Sequence, residues 1–399
     1  MKTYKRLKKR RALISAFLLV ISLFLIFSCS STVFADGAKD DVNVDEAVNG
    51  ILSGIEEKDF EFITDELDKL FGDKLSFKDR LLKIVTGDIQ LTFGGVISYL
   101  SGRVKNNFGV ISKVLALIIA IGVLCSASNI IISKNNGNIE KNIVFYICYS
   151  LVCVIVGKLL YEVVEYSVNT INDFALKIEK VFPLLFSLSA VVGDFGVSLY
   201  KPYVAFLSFF TSGIAVNFFL PVLLVAAVAV TVGNVSEGVK LSELSKTLFS
   251  FFKWSLGLFT LIFTIIIGSQ GVVNAQYNGA SVKILKYATG SLVPIAGGFL
   301  SGGMDVLLSS CILVKNSVGL AAIIWLVLSV AGTGLSVIII SFVIKFIIGL
   351  CEPALDARFT KAVIGIGDVL TSLAALIFVC GYVFILTVIM MISATAAVF

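Results

Sequence analysis

The sequence predicts an all-α fold: a polytopic transmembrane helical bundle with broken and short helices, preceded by a signal peptide and a small extracytoplasmic helical segment. Three observations predict it. The chain is 57% hydrophobic and only 15% charged, against about 45–50% and 25% for a soluble domain. Its apolar residues fall in continuous runs, long enough for a bilayer core of roughly 30 Å, and do not alternate as barrel strands do. Proline and glycine then interrupt several runs where a spanning helix ought to continue.

Residues 1–35 read as the signal peptide. Lys2, Lys5, Arg6, Lys8, Lys9, Arg10 and Arg11 form a basic region, Ala12–Phe27 the apolar core, and Val33-Phe34-Ala35 the small-residue cleavage site. An uncleaved anchor, or a lipoprotein site at Cys29, is the alternative. Residues 36–107 form the extracytoplasmic amphipathic region, acidic in its first half. Val44, Val48, Ile51, Leu52 and Ile55 make one helical stripe; Phe60, Ile63, Leu67, Leu70 and Phe71 make another. Ser76-Phe77-Lys78-Asp79 has capping-box spacing and opens a third helix through Leu81, Ile84 and Val85. The stripes pack on each other as a cap, or dock a partner.

Residues 108–399 form the polytopic membrane domain, with roughly six to eight crossings at about 20 residues each. Phe108–Ile132 and Asn142–Glu165 are spans, joined by a loop with Lys134 and Lys141 that belongs inside. Ser167–Val181 is amphipathic and predicted to lie on the outer interface. Phe182–Val192 is too short to cross alone. Leu241, Leu244 and Leu248 predict a surface helix leading into the span Phe249–Gly268, and Val369–Met391 is the last span. Interruptions are predicted near 193–196, at Pro221, over 294–303 and at 332–334, the last carried by Gly332 and Gly334.

The stretch "VPIAGGFLSGGMD" is the most unusual. Pro294 lacks a backbone donor, Gly297, Gly298, Gly302 and Gly303 weaken a helix, and Asp305 costs about 2.5–3.5 kcal/mol at mid-membrane. Such a segment belongs against protein or a wet cavity, as in transporters with interrupted helices. Close helix packing through the GxxxG spacing Gly298–Gly302, or a plain hairpin turn, also explains it. Asp305 and Lys315 are candidate conduit residues, able to pair if the chain reverses between them. Lys345, Asp194 and Asp368 are further isolated charges, read as snorkelling.

Chemistry is sparse. There is no histidine, which removes His acid–base catalysis and imidazole ligation. The seven cysteines show no CxxC spacing and read as small packing residues, not as a zinc site or disulfide framework. No phosphate-binding, nucleophile-elbow or zinc-protease motif occurs, so no enzyme, cofactor or metal is predicted. The net charge of +5 is accounted for by the basic N-terminus, so no nucleic-acid partner is predicted either.

Four stretches, "FPLLFSLSAVVG", "FFLPVLLVAAVAVTVGNVSEGVKLSELSKTL", "GSQGVVNAQYNGASVKILKYATGSLVPIAGGFLSGGMDVLLSSCILVKNSVG" and "GLCEPALDARF", resemble the stage III sporulation protein AE family. The resemblance covers about the last 220 residues closely and the remainder by layout. It implies a permease-like membrane subunit of a channel, or feeding-tube, complex between mother cell and forespore. The implied location is the mother-cell membrane around the forespore. The implied partners are the other stage III A proteins, with their ATPase-like and secretion-system-like ring-forming members, and stage II sporulation protein Q. The implied role is support of late forespore gene expression and forespore integrity. A free-standing secondary transporter and a non-conducting membrane scaffold are the rival readings.

Overall fold

The structure, a computed structural model, describes residues 44–86, 94–102, 116, 118–124, 127, 138–191, 207, 209–235, 241, 243–266 and 297–393. The elements among the described residues are all helical. The predicted signal peptide, the break near 193–196, Asp194, Pro294 and most of the predicted span Phe108–Ile132 lie outside the described residues.

Three short helices build a cap: α1 (Val44–Ser53), α2 (Glu61–Phe71) and α3 (Phe77–Val85). Their apolar stripes turn inward, burying Val48, Leu52, Phe60, Ile63, Leu67, Leu70, Phe77 and Leu81. Phe60 and Phe77 stack at 4.8 Å. α2 stops at Gly72, whose φ of 76° is left-handed and whose N–H donates to Asp68 O at 2.8 Å; a side chain there would be strained. Ser76 caps α3 by accepting the Asp79 N–H at 3.1 Å. Arg80 sits inside the cap with its side chain 2% exposed. It pairs with Asp68, and with Asp73 at 2.9 Å, and lies over the Phe71 ring. Burial pushes the Asp73 carboxyl up, but Arg80 and Lys83 together outweigh it and hold the group below its ordinary value.

Among the described residues five long helices follow: α4 (Asn138–Val191), α5 (Phe209–Gly233), α6 (Glu243–Ile266), α7 (Gly297–Cys351) and α8 (Ala357–Ser393). Each is long and apolar enough to cross a membrane. They alternate in direction. Rings of α5 and α6 meet antiparallel, Phe210 on Phe263 and Phe219 on Phe252. α7 and α8 form the central antiparallel pair, joined by a 3-10 turn at Glu352–Ala354. Below, the end bearing that turn is the turn end, and the end bearing α1–α3 the cap end.

Several predicted boundaries are corrected. Ser167–Val181 does not lie apart on an interface, and Phe182–Val192 is not a separate short piece. Both continue the span begun near Asn142, giving a helix of 54 residues that contains Pro183. Of its apolar stripe, Ile171, Ala175, Ile178 and Phe182 are buried and Val168 is half-buried, packed on neighbouring helices. The segment around Leu244 and Leu248 is likewise the first turns of α6.

Gly332 and Gly334 do not break a helix, because α7 runs through them as one 55-residue element. Glycine costs only about 1 kcal/mol against alanine, too little to outweigh packing on α8. At Gly334 an added Cβ would lie 2.6 Å from the Phe378 ring, so the glycine is a notch that seats the ring. Gly319 facing Ile392, and Gly381 facing Val330, set the same antiparallel register. Gly297, Gly298, Gly302 and Gly303 are also helical, in the first turns of α7.

Pro221 is different. A π-turn, Ala215–Phe219, immediately precedes it inside α5. Proline has no N–H to donate and its ring crowds the carbonyl four residues back, on Asn217. Widening the turn accommodates both without ending the helix.

Candidate functional site

Two polar clusters tie the helices together, one at each end of the bundle. Near the turn end, Lys345 of α7 reaches Asp368 of α8 at 2.9 Å and Thr371 Oγ1 at 2.8 Å. Ser341 Oγ donates to Gly367 O at 2.5 Å and lies 2.7 Å from Thr371 Oγ1. Gly367 makes room for this, since a Cβ there would sit 2.7 Å from the Lys345 stem. Lower still, the Arg358 guanidinium lies 3.8 Å from the Phe145 ring centroid, and Tyr149 OH donates to Thr231 O at 2.6 Å. The first contact binds α8 to α4, the second α4 to α5.

At the cap end, Trp325 of α7 is 2% exposed. Phe62 of α2 meets it edge-on at 4.8 Å, and Phe174 of α4 at 6.1 Å. Lys177 lies over both Phe62 (5.5 Å) and Trp325 (5.7 Å), steered by Asp173 at 2.5 Å. A cation shared by two aromatic faces is worth about 0.5–2 kcal/mol. It fastens the cap to the two longest helices.

Of the predicted site residues, Asp305 and Lys315 stand on the uninterrupted helix α7. The chain does not reverse between them, and ten residues of straight helix separate them by about 15 Å. The condition for their pairing, a reversal of the chain between them, is therefore not met. Lys315 is fully buried. The Lys345–Asp368 pair was visible in sequence only as two isolated charges. Its signal was two opposite charges on the arms of one tight hairpin. The Phe62–Trp325–Lys177 cluster had no sequence signal, because its members come from three distant segments.

The pair is partly exposed, with side chains 25% and 43% accessible, so it is worth about 0–1 kcal/mol in water and more where lipid excludes water. Lys345→Ala and Asp368→Ala are each expected to lower membrane abundance of the folded chain. The double variant should recover part of the loss, a coupling of about 0.5 kcal/mol or more. Strict additivity in quantified membrane fractions would show that the two do not act together.

These features define a multi-pass helical membrane protein whose small helical cap is clasped to its longest helices. The model for stage III sporulation protein AE matches residues 75–395, and the chain belongs to that family. It is 23% identical over 284 residues to stage III sporulation protein AE of Bacillus subtilis (strain 168), covering 70% of each chain. No solved structure matches.

Proposed function

We propose that this chain is the membrane subunit of the channel complex linking mother cell and forespore, needed for late forespore gene expression and forespore integrity. The observation that carries the reading is family membership over the whole of the described bundle of long apolar helices, to which a small helical cap is fastened. Its partners would be the ATPase-like and ring-forming stage III A proteins and stage II sporulation protein Q, met through the cap. The membrane would be the mother-cell membrane that surrounds the forespore. Basic residues support that orientation: Lys246, Lys345, Arg358 and Lys361 gather toward the turn end, as the positive-inside rule asks of a cytoplasmic face. The signal peptide at 1–35 would then deliver the cap to the outside.

A second reading, a scaffold that conducts nothing, draws support from α7. Its continuity through Gly332 and Gly334 removes one helix break that pointed to a conduit. Deleting the gene in sporulating cells of the source organism tests the main reading. Normal engulfment followed by a shrunken forespore and a silent late reporter is expected. Normal spores, with a defect only in uptake or export during growth, would instead promote a free-standing transporter. Complementation with Asp305→Ala and Lys315→Ala separates conduit from scaffold: loss of function at normal abundance favours the conduit.

A further inference from the structure

The outward face of α4 changes character along its length. Toward the turn end it shows Ile143, Ile147, Leu151 and Val154, all at least half exposed, as a lipid-facing helix should. From there on the same face carries Lys158, Glu162, Glu165, Asn169 and Asn172, all exposed. Their spacing of four, three, four and three residues keeps them in one stripe. Lys158, Glu162 and Glu165 have no ion-pair partner among the described residues.

The height of this stripe is fixed by contacts. Tyr166 OH is 3.5 Å from Thr333 Oγ1 of α7. Thr333 stands twelve residues from Lys345 and eight from Trp325, about 18 and 12 Å along the helix. Glu162 and Glu165 lie within about a turn of Tyr166, so they occupy the middle of the bundle. The α5 helix gives the same answer. Its lower end meets α4 at Tyr149, through Thr231, and Glu162 and Glu165 are then about 20 and 24 Å above that end. A hydrocarbon slab of about 30 Å begun at the foot of α5 contains Leu151, Val154 and both carboxylates.

Carboxylates cannot face lipid at that depth without a cost of several kcal/mol. A long lysine escapes by snorkelling, which suffices for Lys253 on α6, exposed beside Trp254. Glutamate has a shorter reach. A second copy packed symmetrically on this face is disfavoured by charge. Copies in one membrane share an orientation, so a two-fold contact would set Lys158 on Lys158 and Glu165 on Glu165.

We infer that the Lys158–Glu162–Glu165–Asn169–Asn172 face of α4 is wet within the membrane and lines a path for water and small hydrophilic solutes. This deepens the channel-subunit reading, on which it rests for its biological meaning but not for its test. The stripe carries one cationic and two anionic groups, which suits hydrated polar solutes and mildly favours cations over anions.

The test uses the full chain in native membranes, with its seven cysteines replaced by serine or alanine. Single cysteines are introduced as Glu162→Cys, Glu165→Cys, Asn169→Cys, and on the apolar part of the face as Leu151→Cys and Val154→Cys. The probe is a charged, membrane-impermeant methanethiosulfonate, which reacts with the thiolate and so reports water at the sulfur. The three stripe positions should label at least about tenfold faster than Leu151→Cys and Val154→Cys. If Glu162→Cys and Glu165→Cys label no faster than the apolar controls, the face is covered by protein and the inference is overturned, whether the cover is another stretch of this chain, a second copy or a partner. Should a glutamate variant fail to accumulate, Tyr161→Cys, on the same face and 64% exposed in the native chain, carries the same readout. Labelling requires no spore phenotype. A wet stripe with normal sporulation on deletion would sink the channel role alone, and a dry stripe with the expected deletion phenotype would sink this inference alone.

Discussion

Replacing Arg80 by leucine should unfold the cap while leaving the membrane helices in place. The guanidinium is buried between Asp68 and Asp73 and over the Phe71 ring. Removing it takes away charge-assisted hydrogen bonds worth about 1.5–3 kcal/mol, a figure lowered by the access to water that Asp68 and Asp73 keep at 21% and 41% exposure. The cap is three short helices around a small core, so a loss of that size exceeds what it can absorb. Hydrogen exchange on the purified protein gives the readout: protection should vanish over α1–α3 and persist in α7 and α8. Unchanged protection in α2 would mean that the ion pairs contribute nothing. Acid should act in the same direction but more weakly. Asp73 has a lowered folded pKa, so its stabilisation is complete above the ordinary Asp value of about 3.9 and is lost as pH falls through the lower folded value. Its side chain is 41% exposed, and solvent screening keeps that contribution small.

Trp325→Ala should detach the cap without unfolding it. The indole is the common surface for Phe62, Phe174 and Lys177, and truncating a buried tryptophan costs about 3–5 kcal/mol. The cap's own core does not use Trp325: the Phe60–Phe77 stack and the Arg80 pairs lie within residues 60–80. Limited proteolysis should then cut between the cap and the bundle at sites protected in the native chain, and release a fragment still resistant inside. A fragment that degrades completely would show that the cap depends on α7 for its fold. The chain has two tryptophans, so a Trp254→Phe background isolates Trp325. Its emission in the otherwise native protein should be blue and poorly quenched.

The cap was nearly all legible in sequence. Its stripes, its third helix and the Ser76 cap depend on short-range spacing, and spacing is what a sequence displays. The register of α7 against α8 was not legible, because a glycine acquires its meaning from the residue opposite. Gly334 reads as a helix breaker when alone and as a seat for Phe378 when the partner is present. The continuity of α4 was hidden for a related reason. Polarity rises sharply at Lys158, Glu162 and Glu165, and a rise in polarity looks like the end of a span. The backbone continues because the opposite face stays apolar, with Leu159, Val163, Ile171 and Phe174 buried. Pro221 was read as an interruption, whereas the helix continues through it, with a widened turn just before it that depends on neighbours holding the helix together.

The lengths of α4 and α7 have a mechanical consequence. At 54 and 55 residues each is about 80 Å long, roughly twice the thickness of a bilayer with its headgroups. Two such rods, cross-braced at Trp325 and again at Tyr166–Thr333, act as a strut of fixed height. Whatever engages its far end is held at a set distance from the membrane surface, on the order of 40 Å. The reach of the chain beyond the bilayer is then gauged by helix length, and adding or deleting whole turns near the tips would reset it.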